Sequence, residues 1–248
     1  MSTLRTYLER FSSLPGWFME ESAVIWDCFL DFQKRQHVKG HALEIGVYHG
    51  RSAAMICLHL AQQEKLVLID PHRLETVKAT LSTIKPDNLI CYSCMSRRIP
   101  IAELSALYGQ CRWIHVDGDH SASACSHDLA LADYLLGDHG VVVVDDFMTP
   151  RHPQVMASVF NYLYSHPFSF RMFLCGFGKA YLARPPYVFQ YLRFIRDHIA
   201  DELSLKKYAN RISFFKTTVP DDYNCFGMGR YEDAPFIGLN QDKSCILI

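Results

Sequence analysis

Five carboxylates lie at or near the ends of short apolar runs in the sequence: Glu44, Asp70, Asp117, Asp145 and Asp146. Apolar runs of this length predict buried strands, and the carboxyl ends of parallel strands meet along one crevice of a sheet. A set of acids at successive strand ends is difficult to explain as solvated surface. We therefore expect the five to share a functional crevice, where carboxylates accept hydrogen bonds from a ligand or hold a cation.

Three of these acids are predicted to hold a divalent cation. Asp117 follows the fourth predicted strand, and Asp145 and Asp146 follow the fifth. If these strands are neighbours, their ends lie about 4.8 Å apart, and the three carboxylates would repel each other unless a cation lay between them. Carboxylate oxygens, with waters and substrate oxygens, suit Mg²⁺ or Mn²⁺. The alternative is that Asp145 or Asp146 only caps the following turn.

The turn from Glu44 to Gly50 predicts a second kind of binding. Gly46 would let a ligand approach the backbone, and Gly50 would let the following helix pack close to the strand. The spacing differs from G-x-G-x-x-G, and an acid at position 44 would repel a diphosphate. The turn therefore fits a ligand with a cationic or hydroxyl-rich end. Asp70, about twenty residues after the glycines, can accept both hydrogen bonds of a ribose diol.

The elements that must position these residues alternate between strand and helix. The apolar periodicity predicts strands at 42–45, 66–69, 89–93, 113–116 and 141–144. It predicts amphipathic helices at 52–60 and 121–136. Strands that are apolar throughout and separated by helix-length segments imply a parallel sheet covered on both faces. A helix at 154–165 then precedes two strands, 168–174 and 179–183, that predict an antiparallel hairpin at the sheet edge.

The predicted fold is an α/β, doubly wound, Rossmann-like sheet, mostly parallel with an antiparallel edge hairpin and helices on both faces. We divide the chain into an N-terminal helical segment at 1–36, an α/β core at 37–185 that carries the crevice, and a C-terminal extension at 186–248. A helix is predicted over 187–205 in the extension. The extension is expected to serve as a lid, a subunit contact or packing.

The composition restricts the partners. The chain has 248 residues, of which 49% are hydrophobic and 21% charged, and its net charge is -1. Balanced charge argues against broad binding of nucleic acid or an anionic membrane surface. No apolar run reaches the ~18 residues of a membrane span, and the N-terminus lacks the apolar core of a signal peptide. We expect a cytoplasmic protein with a small-molecule partner, either a monomer or a homo-oligomer.

Four motifs resemble those of one enzyme family. They are EIGVYHGRS at 44–52, LIDPH at 68–72, IHVDGDH at 114–120 and VVVVDDF at 141–147. In this order they resemble the class I S-adenosylmethionine-dependent methyltransferases, and most of all the metal-dependent, macrocin O-methyltransferase-like enzymes that act on small molecules. The segment at 15–18, followed by Glu20 and Glu21, is similar to the N-terminal lid of these enzymes.

The resemblance implies particular contacts to S-adenosylmethionine. The residues at the matching positions are Glu44, Gly46, Gly50, Ser52, Asp70 and Asp117. It also implies the same three cation ligands, Asp117, Asp145 and Asp146, for Mg²⁺ or Mn²⁺. Where such enzymes often have an acid after the third strand to meet the adenine, this sequence has Ser93-Cys94-Met95-Ser96, so Ser96 is the candidate for that contact.

The implied reaction transfers a methyl group in line from the cofactor's sulfonium to a hydroxyl of a small molecule, such as a sugar or another natural product. A base must accept the hydroxyl proton, and a bound cation would acidify it. Asp119, two residues after Asp117, is the preferred base by the resemblance, and His120 competes because its intrinsic pKa is nearer neutrality. Other histidines that flank the crevice are candidate substrate contacts: His49, His72, His115 and His152.

Two other functions stay open at this point. A metal-independent methyltransferase acting on nitrogen or carbon would share the cofactor motifs but would keep its activity in a chelator. A non-catalytic cofactor-binding or scaffold protein would bind the cofactor without transferring a methyl group.

Overall fold

The computed structural model describes residues 2–216 and 225–230. Nine strands follow one another in these residues: β1 His41–Ile45, β2 Leu66–Ile69, β3 Leu89–Tyr92, β4 Cys111–Val116, β5 Leu136–Val144, β6 Arg171–Gly176, β7 Lys179–Ala183, β8 Ile212–Lys216 and β9 Phe226–Arg230. The same residues form eight α-helices: α1 Thr3–Arg10, α2 Glu20–Arg35, α3 Arg51–Leu58, α4 Leu74–Ser82, α5 Ala122–Leu135, α6 Pro153–Ser165, α7 Val188–Asp197 and α8 Ile199–Leu205.

The described strands form one sheet in the order β3-β2-β1-β4-β5-β7-β6-β9-β8. The first five strands in this order are parallel. Strand β7 runs antiparallel to both β5 and β6, and β9 and β8 continue the sheet beyond this hairpin. The predicted fold, a mostly parallel Rossmann-like sheet finished by an antiparallel hairpin, is confirmed.

The strand order reverses between β1 and β4, because β1 leads to β2 on one side and β4 leads to β5 on the other. This is the topological switch point of a doubly wound sheet, where the connecting loops separate and leave a crevice at the carboxyl ends of the strands. Strands β4 and β5 are neighbours, as the cation prediction requires, and Val116 pairs with Val144 at their carboxyl ends.

Helices cover both faces of the sheet. One face packs against α1, α2, α3, α4, α7 and α8. The other packs against α5, α6 and a 3₁₀ helix at Ile101–Leu107. The four consecutive valines at 141–144 are buried, as expected for a central strand that is covered on both sides.

The N-terminal segment is part of the core as well as a candidate lid. In α2, Trp26 is fully buried, and its indole nitrogen donates a 3.1 Å hydrogen bond to the hydroxyl of Tyr181 on β7. Only the turn before α2, at residues 15–18, lines the crevice. The lid role of this segment stays a prediction for that turn.

The C-terminal extension packs on the core and enlarges its sheet. The single helix predicted over 187–205 is wrong in one respect, because His198 separates α7 from α8. Strands β8 and β9 were not predicted. The parts of the predicted extension at 217–224 and 231–248 lie outside the described residues. No helix in the described part of the chain has the length and apolar character that crossing a membrane requires.

Candidate active site

A cavity of about 1320 Å³ opens at the carboxyl ends of β1, β2, β4 and β5. Its walls combine the end of each strand with the first turn that follows. The predicted site residues that line it are Gly46, Ser52, Asp70, Ser96, Asp117, Asp119, His120, Asp145 and Asp146. Glu44 and Gly50, the other two predicted residues, lie outside this lining. Nine of the eleven predicted residues therefore lie around one cavity.

Glu44 is fully buried beneath the cavity. Its Oε1 accepts a 2.5 Å hydrogen bond from the hydroxyl of Ser52 and lies 2.7 Å from Nδ1 of His115. Its Oε2 has no hydrogen-bond partner among the described residues. Burial alone would lower the pKa of His115, but contacts with Asp145 and Glu44 outweigh it and raise that pKa to about 9. A charged imidazole thus links the acid of β1 to the acid after β5.

Gly46 and Gly50 are explained by the packing of the chain itself. Gly46 has a φ of +82°, and a Cβ built on it would lie 1.7 Å from the carbonyl oxygen of Asp117. Gly50 has a φ of +79°, and its Cβ would lie 2.9 Å from Val77 on α4. Both positions therefore require glycine without any ligand. The close approach of the turn after β4 explains Gly46 in addition to the predicted approach of a ligand.

Asp70 holds the first turn in place. Its Oδ2 accepts hydrogen bonds from the backbone N–H groups of Val47 and Tyr48 at 2.7 and 2.9 Å, and its Oδ1 accepts one from His72 at 2.7 Å. A carboxylate has about four lone-pair sites, so it can still accept a hydrogen bond from a ligand. Asp70 thus ties the turns after β1 and β2 together at the cavity wall.

Asp145 is engaged by groups of the chain itself. Its Oδ2 contacts the ammonium of Lys179 and lies 3.3 Å from Nε2 of His115, and its Oδ1 accepts the N–H of Asp146 at 2.9 Å. Burial alone would raise the pKa of Asp145, but the charge of Lys179 and the hydrogen bond from His115 hold it well below its ordinary value. Lys179 itself is only 1% exposed. The carboxylate is therefore ionised, with both oxygens in use.

His120 lies between the two remaining acids. Its Nε2 is 2.7 Å from Oδ2 of Asp146 and 3.7 Å from Oδ1 of Asp117. The contacts with Asp117 and Asp146 raise the pKa of His120 to about 10. Burial and the charge of Asp145 raise the pKa of Asp117 to about 6. The three predicted cation ligands are therefore divided: Asp145 faces Lys179, whereas Asp117 and Asp146 face His120.

Asp119 lies at the exposed rim of the cavity. Its Oδ1 accepts the backbone N–H of Ser121 at 2.9 Å, and this hydrogen bond lowers the pKa of Asp119. Ser121 in turn caps α5 by accepting the N–H of Ala124. Asp119 is therefore ionised at neutral pH, and its side chain has a different partner from that of His120.

Ser96 contacts an acid that lies outside the four sequence motifs. Its hydroxyl donates a 2.5 Å hydrogen bond to Oδ1 of Asp128, which is 1% exposed and lines the cavity from α5. Burial raises the pKa of Asp128 to about 6, and the hydrogen bond from Ser96 offsets part of this rise. An acid in the middle of an amphipathic helix resembles an ordinary surface residue in sequence, so only the packing of α5 identifies it.

Aromatic and basic side chains form the mouth of the cavity near α3. Trp17 is 84% exposed and stacks on Tyr48, with ring centroids 5.5 Å apart. Arg51 donates a 2.8 Å hydrogen bond to the carbonyl of Gly16 and so fixes this turn against α3. An exposed tryptophan beside a cavity is available for contact with a ligand.

Three groups of donor atoms in the described residues are close enough to hold a metal ion, and two of them lie at this cavity. Donor atoms of His120, Asp146 and His152 lie within 4.8 Å of one another, and so do those of His115, Asp117 and Asp145. In the second group, Lys179 already places a positive charge against Asp145. The described residues show no ion pair from lysine or arginine to the first group. The sequence motifs predicted the acids, but Lys179 lies in a hairpin strand with no motif of its own.

Residues 43–147, which contain every predicted cofactor, cation and base residue, match a family model described as a methyltransferase domain. A comparison with curated protein sequences found no match.

Several solved structures share the fold. The O-methyltransferase NovP has a TM-score of 0.56 at 14% identity, over 64% of this chain and 77% of that one. CalS11, a TDP-rhamnose 3′-O-methyltransferase of calicheamicin biosynthesis, has a TM-score of 0.51 at 14% identity, over 73% and 92%. A protein from Corynebacterium glutamicum has a TM-score of 0.55 at 17% identity, over 74% and 90%. At these identities the likeness establishes the fold.

Proposed function

We propose that this chain, whose residues 43–147 match a family model described as a methyltransferase domain, is an S-adenosylmethionine-dependent O-methyltransferase that acts on a hydroxyl of a small molecule. The observation that carries the proposal is the cavity at the switch point between β1 and β4, lined by acids from the ends of β2, β4 and β5, with Glu44 of β1 buried beneath it. Doubly wound folds bind their ligands at this point. The shared fold of the O-methyltransferases NovP and CalS11 supports oxygen as the acceptor atom.

The residues at one end of the cavity fit the cofactor. Asp70 is the proposed acceptor for the ribose hydroxyls, and it retains lone pairs after its three backbone hydrogen bonds. The unpartnered Oε2 of Glu44 is a buried acceptor that an amino group would satisfy. Gly46 and Ser52 line the adjoining wall, and Gly50 starts the helix behind it.

The residues at the other end fit a divalent cation in part. Asp117 and Asp146 line the cavity and have oxygens facing His120. Asp145 fits less well, since Lys179 and two other donors already use its oxygens. Mg²⁺ or Mn²⁺ would supply Lewis acidity that lowers the pKa of the acceptor hydroxyl.

Asp119 is the proposed base. It is ionised at neutral pH because the N–H of Ser121 lowers its pKa, and it lies at the open rim of the cavity. His120, whose pKa is raised to about 10 by Asp117 and Asp146, already carries a proton and cannot accept another. The order of preference is therefore Asp119 first and His120 second. Accepting the hydroxyl proton as the carbon–oxygen bond forms is the contribution asked of Asp119.

The acceptor is proposed to be a hydroxylated molecule such as a sugar or another natural product. The cavity of about 1320 Å³ exceeds the ~300–1,000 Å³ of an ordinary small-molecule pocket, which leaves room for two ligands side by side. Trp17 and Tyr48 at the mouth present flat rings to the acceptor. The sugar acceptor in the name of CalS11 supports this class.

The test combines binding and turnover. Calorimetry should detect the binding of S-adenosylhomocysteine. Methyl-labelled S-adenosylmethionine should transfer its label to a sugar or phenol from a panel of hydroxylated acceptors. Full activity in excess chelator would move the protein to the metal-independent alternative, which the contact between Lys179 and Asp145 favours. Binding without transfer to any acceptor would support the non-catalytic alternative. Absence of binding would overturn the proposal.

A further inference from the structure

His120, Asp146 and His152 form a compact donor group on the cavity wall. Nε2 of His120 lies 2.7 Å from Oδ2 of Asp146, and the rings of His120 and His152 stack with centroids 4.0 Å apart and planes 13° apart. One donor atom from each of the three lies within 4.8 Å of the others. Two imidazoles and one carboxylate therefore offer donor atoms close to one another on the cavity wall.

The backbone around this group brings the donors together. Asp146 has a φ of 54°, a left-handed conformation that reverses the chain directly after Asp145. The turn that follows is closed by hydrogen bonds from Thr149 N–H to the Asp146 carbonyl, at 3.3 Å, and from His152 N–H to the Thr149 carbonyl, at 3.2 Å. This pair of turns returns His152 to the side of the cavity where Asp146 lies.

The position of Lys179 argues against a cation centred on Asp145. Its ammonium contacts Oδ2 of Asp145, and it is buried beside the rings of Phe18 and Trp26, with Nζ 5.5 and 6.0 Å from their centroids. A buried lysine that left this carboxylate would need a new partner, and the surrounding rings are apolar. A second positive charge at the same oxygens would also be repelled. Asp146 has no such neighbour among the described residues.

We infer that His120, His152 and Asp146 are ligands of the divalent cation, with Asp117 next to them, and that the site prefers an imidazole-binding cation such as Mn²⁺, Co²⁺ or Zn²⁺ over Mg²⁺. This inference rests on the proposed function, because the cation would serve the same acceptor hydroxyl. Imidazole nitrogen suits transition metals, whereas Mg²⁺ takes oxygen ligands. With His120 engaged as a ligand, Asp119 is the base that remains.

The test measures the metal without cofactor or acceptor. The 248-residue chain is stripped with a chelator, and Mn²⁺, Co²⁺ and Mg²⁺ are titrated separately by calorimetry. We expect one Mn²⁺ or Co²⁺ to bind at least about tenfold more tightly than Mg²⁺. His152→Ala should weaken the affinity for Co²⁺ by at least about tenfold and change the visible spectrum of bound Co²⁺. It should have little effect on the affinity for Mg²⁺. His72→Ala, an imidazole of the same cavity outside the group, is the matched control and should change neither.

Pulsed EPR of bound Mn²⁺ keeps the inference testable even if a variant fails to fold. Coupling to ligand nitrogen should appear in the wild-type protein and weaken in His152→Ala and in His120→Gln. Mn²⁺ without nitrogen coupling, or equal affinities for Mg²⁺ and Co²⁺, would overturn the inference. Neither result would contradict the proposed methyltransferase function. Failure of that proposal would show as no binding of S-adenosylhomocysteine.

Discussion

The hydroxyl of Ser96 donates a 2.5 Å hydrogen bond to Oδ1 of Asp128, and this contact joins the segment after β3 to the middle of α5. The other oxygen of Asp128 lies beneath Gly118, where a built Cβ would come within 2.8 Å of it. The sequence has no acid directly after β3. The contact supplies one to the same wall of the cavity from a different element.

Asp128 should lower the stability of the ligand-free protein at neutral pH. Burial raises its pKa from 3.8 to about 6, so the folded chain binds this proton more tightly than the unfolded chain. The free energy of unfolding therefore falls as pH rises through this interval, and the loss persists at higher pH. We expect Asp128→Asn to be more stable by about 1–3 kcal/mol at neutral pH. Urea denaturation at neutral pH and at pH about 4 measures this, and the gain should shrink at the lower pH.

The same substitution should weaken the binding of the cofactor. A buried carboxylate with an oxygen on the cavity wall is a strong acceptor for an amino group such as that of adenine. We expect Asp128→Asn to weaken the binding of S-adenosylhomocysteine by about 1–2 kcal/mol. Ser96→Ala should weaken this binding less, because Ser96 only orients the acid. Calorimetry on both variants is the measurement. Unchanged affinity in Asp128→Asn would remove this residue from the cofactor site.

Asp70 should contribute both to the binding of the cofactor and to the stability of the fold. Its three backbone hydrogen bonds hold the turns after β1 and β2. Asp70→Ala is expected to weaken the binding of S-adenosylhomocysteine by about 1–3 kcal/mol and to lower the free energy of unfolding, because three backbone N–H groups, one of them buried, lose their acceptor. Asp70→Asn keeps one acceptor oxygen and should retain part of the affinity for S-adenosylhomocysteine and part of the stability. Equal affinity in the wild-type and alanine proteins would contradict the ribose contact.

The parallel half of the sheet could be predicted from the sequence because its strands carry their own signal. Strand β2 matches the predicted bounds, and β1, β3 and β4 differ by one or two residues at an end. Strand β5 begins at Leu136, before its predicted start at Val141. Each is an apolar run that needs burial on both faces. The acids after them follow from the same pattern, since a parallel sheet brings the carboxyl ends together. This accounts for the cavity and most of its lining.

The missed features depend on contacts between distant residues. Strand β9 contains Gly227, which weakens any strand signal, and a Cβ there would lie 2.2 Å from the ring of Phe215 on β8. The glycine is explained only by its neighbour. The break at His198 has no proline or glycine to mark it. Lys179 appears in sequence as an ordinary strand residue, and its role follows from the antiparallel pairing of β7 with β5.

Lys179 should be important for stability. Its ammonium is buried against Asp145, and removing one partner of a buried ion pair leaves the other charge uncompensated. We expect Lys179→Met to lower the free energy of unfolding by about 3–5 kcal/mol, and Lys179→Met combined with Asp145→Asn to recover part of it. Urea denaturation of the single and double variants is the measurement. An additive loss in the double variant would mean that the two side chains do not depend on each other.

The base can be identified by comparing Asp119 with His120. Asp119 is exposed, ionised and bonded to the N–H of Ser121, whereas His120 is held between Asp117 and Asp146. We expect Asp119→Asn to retain the fold and S-adenosylhomocysteine binding but to lower kcat by about 10²–10⁴, the usual contribution of a positioned base. Asparagine still accepts the Ser121 hydrogen bond, so the turn should persist.

His120→Gln is the counterpart of this variant. If His120 only positions the cation or the acceptor, its loss should raise KM or the metal requirement more than it lowers kcat at saturating metal. The pH dependence of kcat provides an independent measure, since removing the true base removes the acidic limb of the profile. An acidic limb that persists unchanged in Asp119→Asn but disappears in His120→Gln would reverse the assignment. His120 would then be the proton acceptor, and Asp119 would serve only to shape the turn before α5.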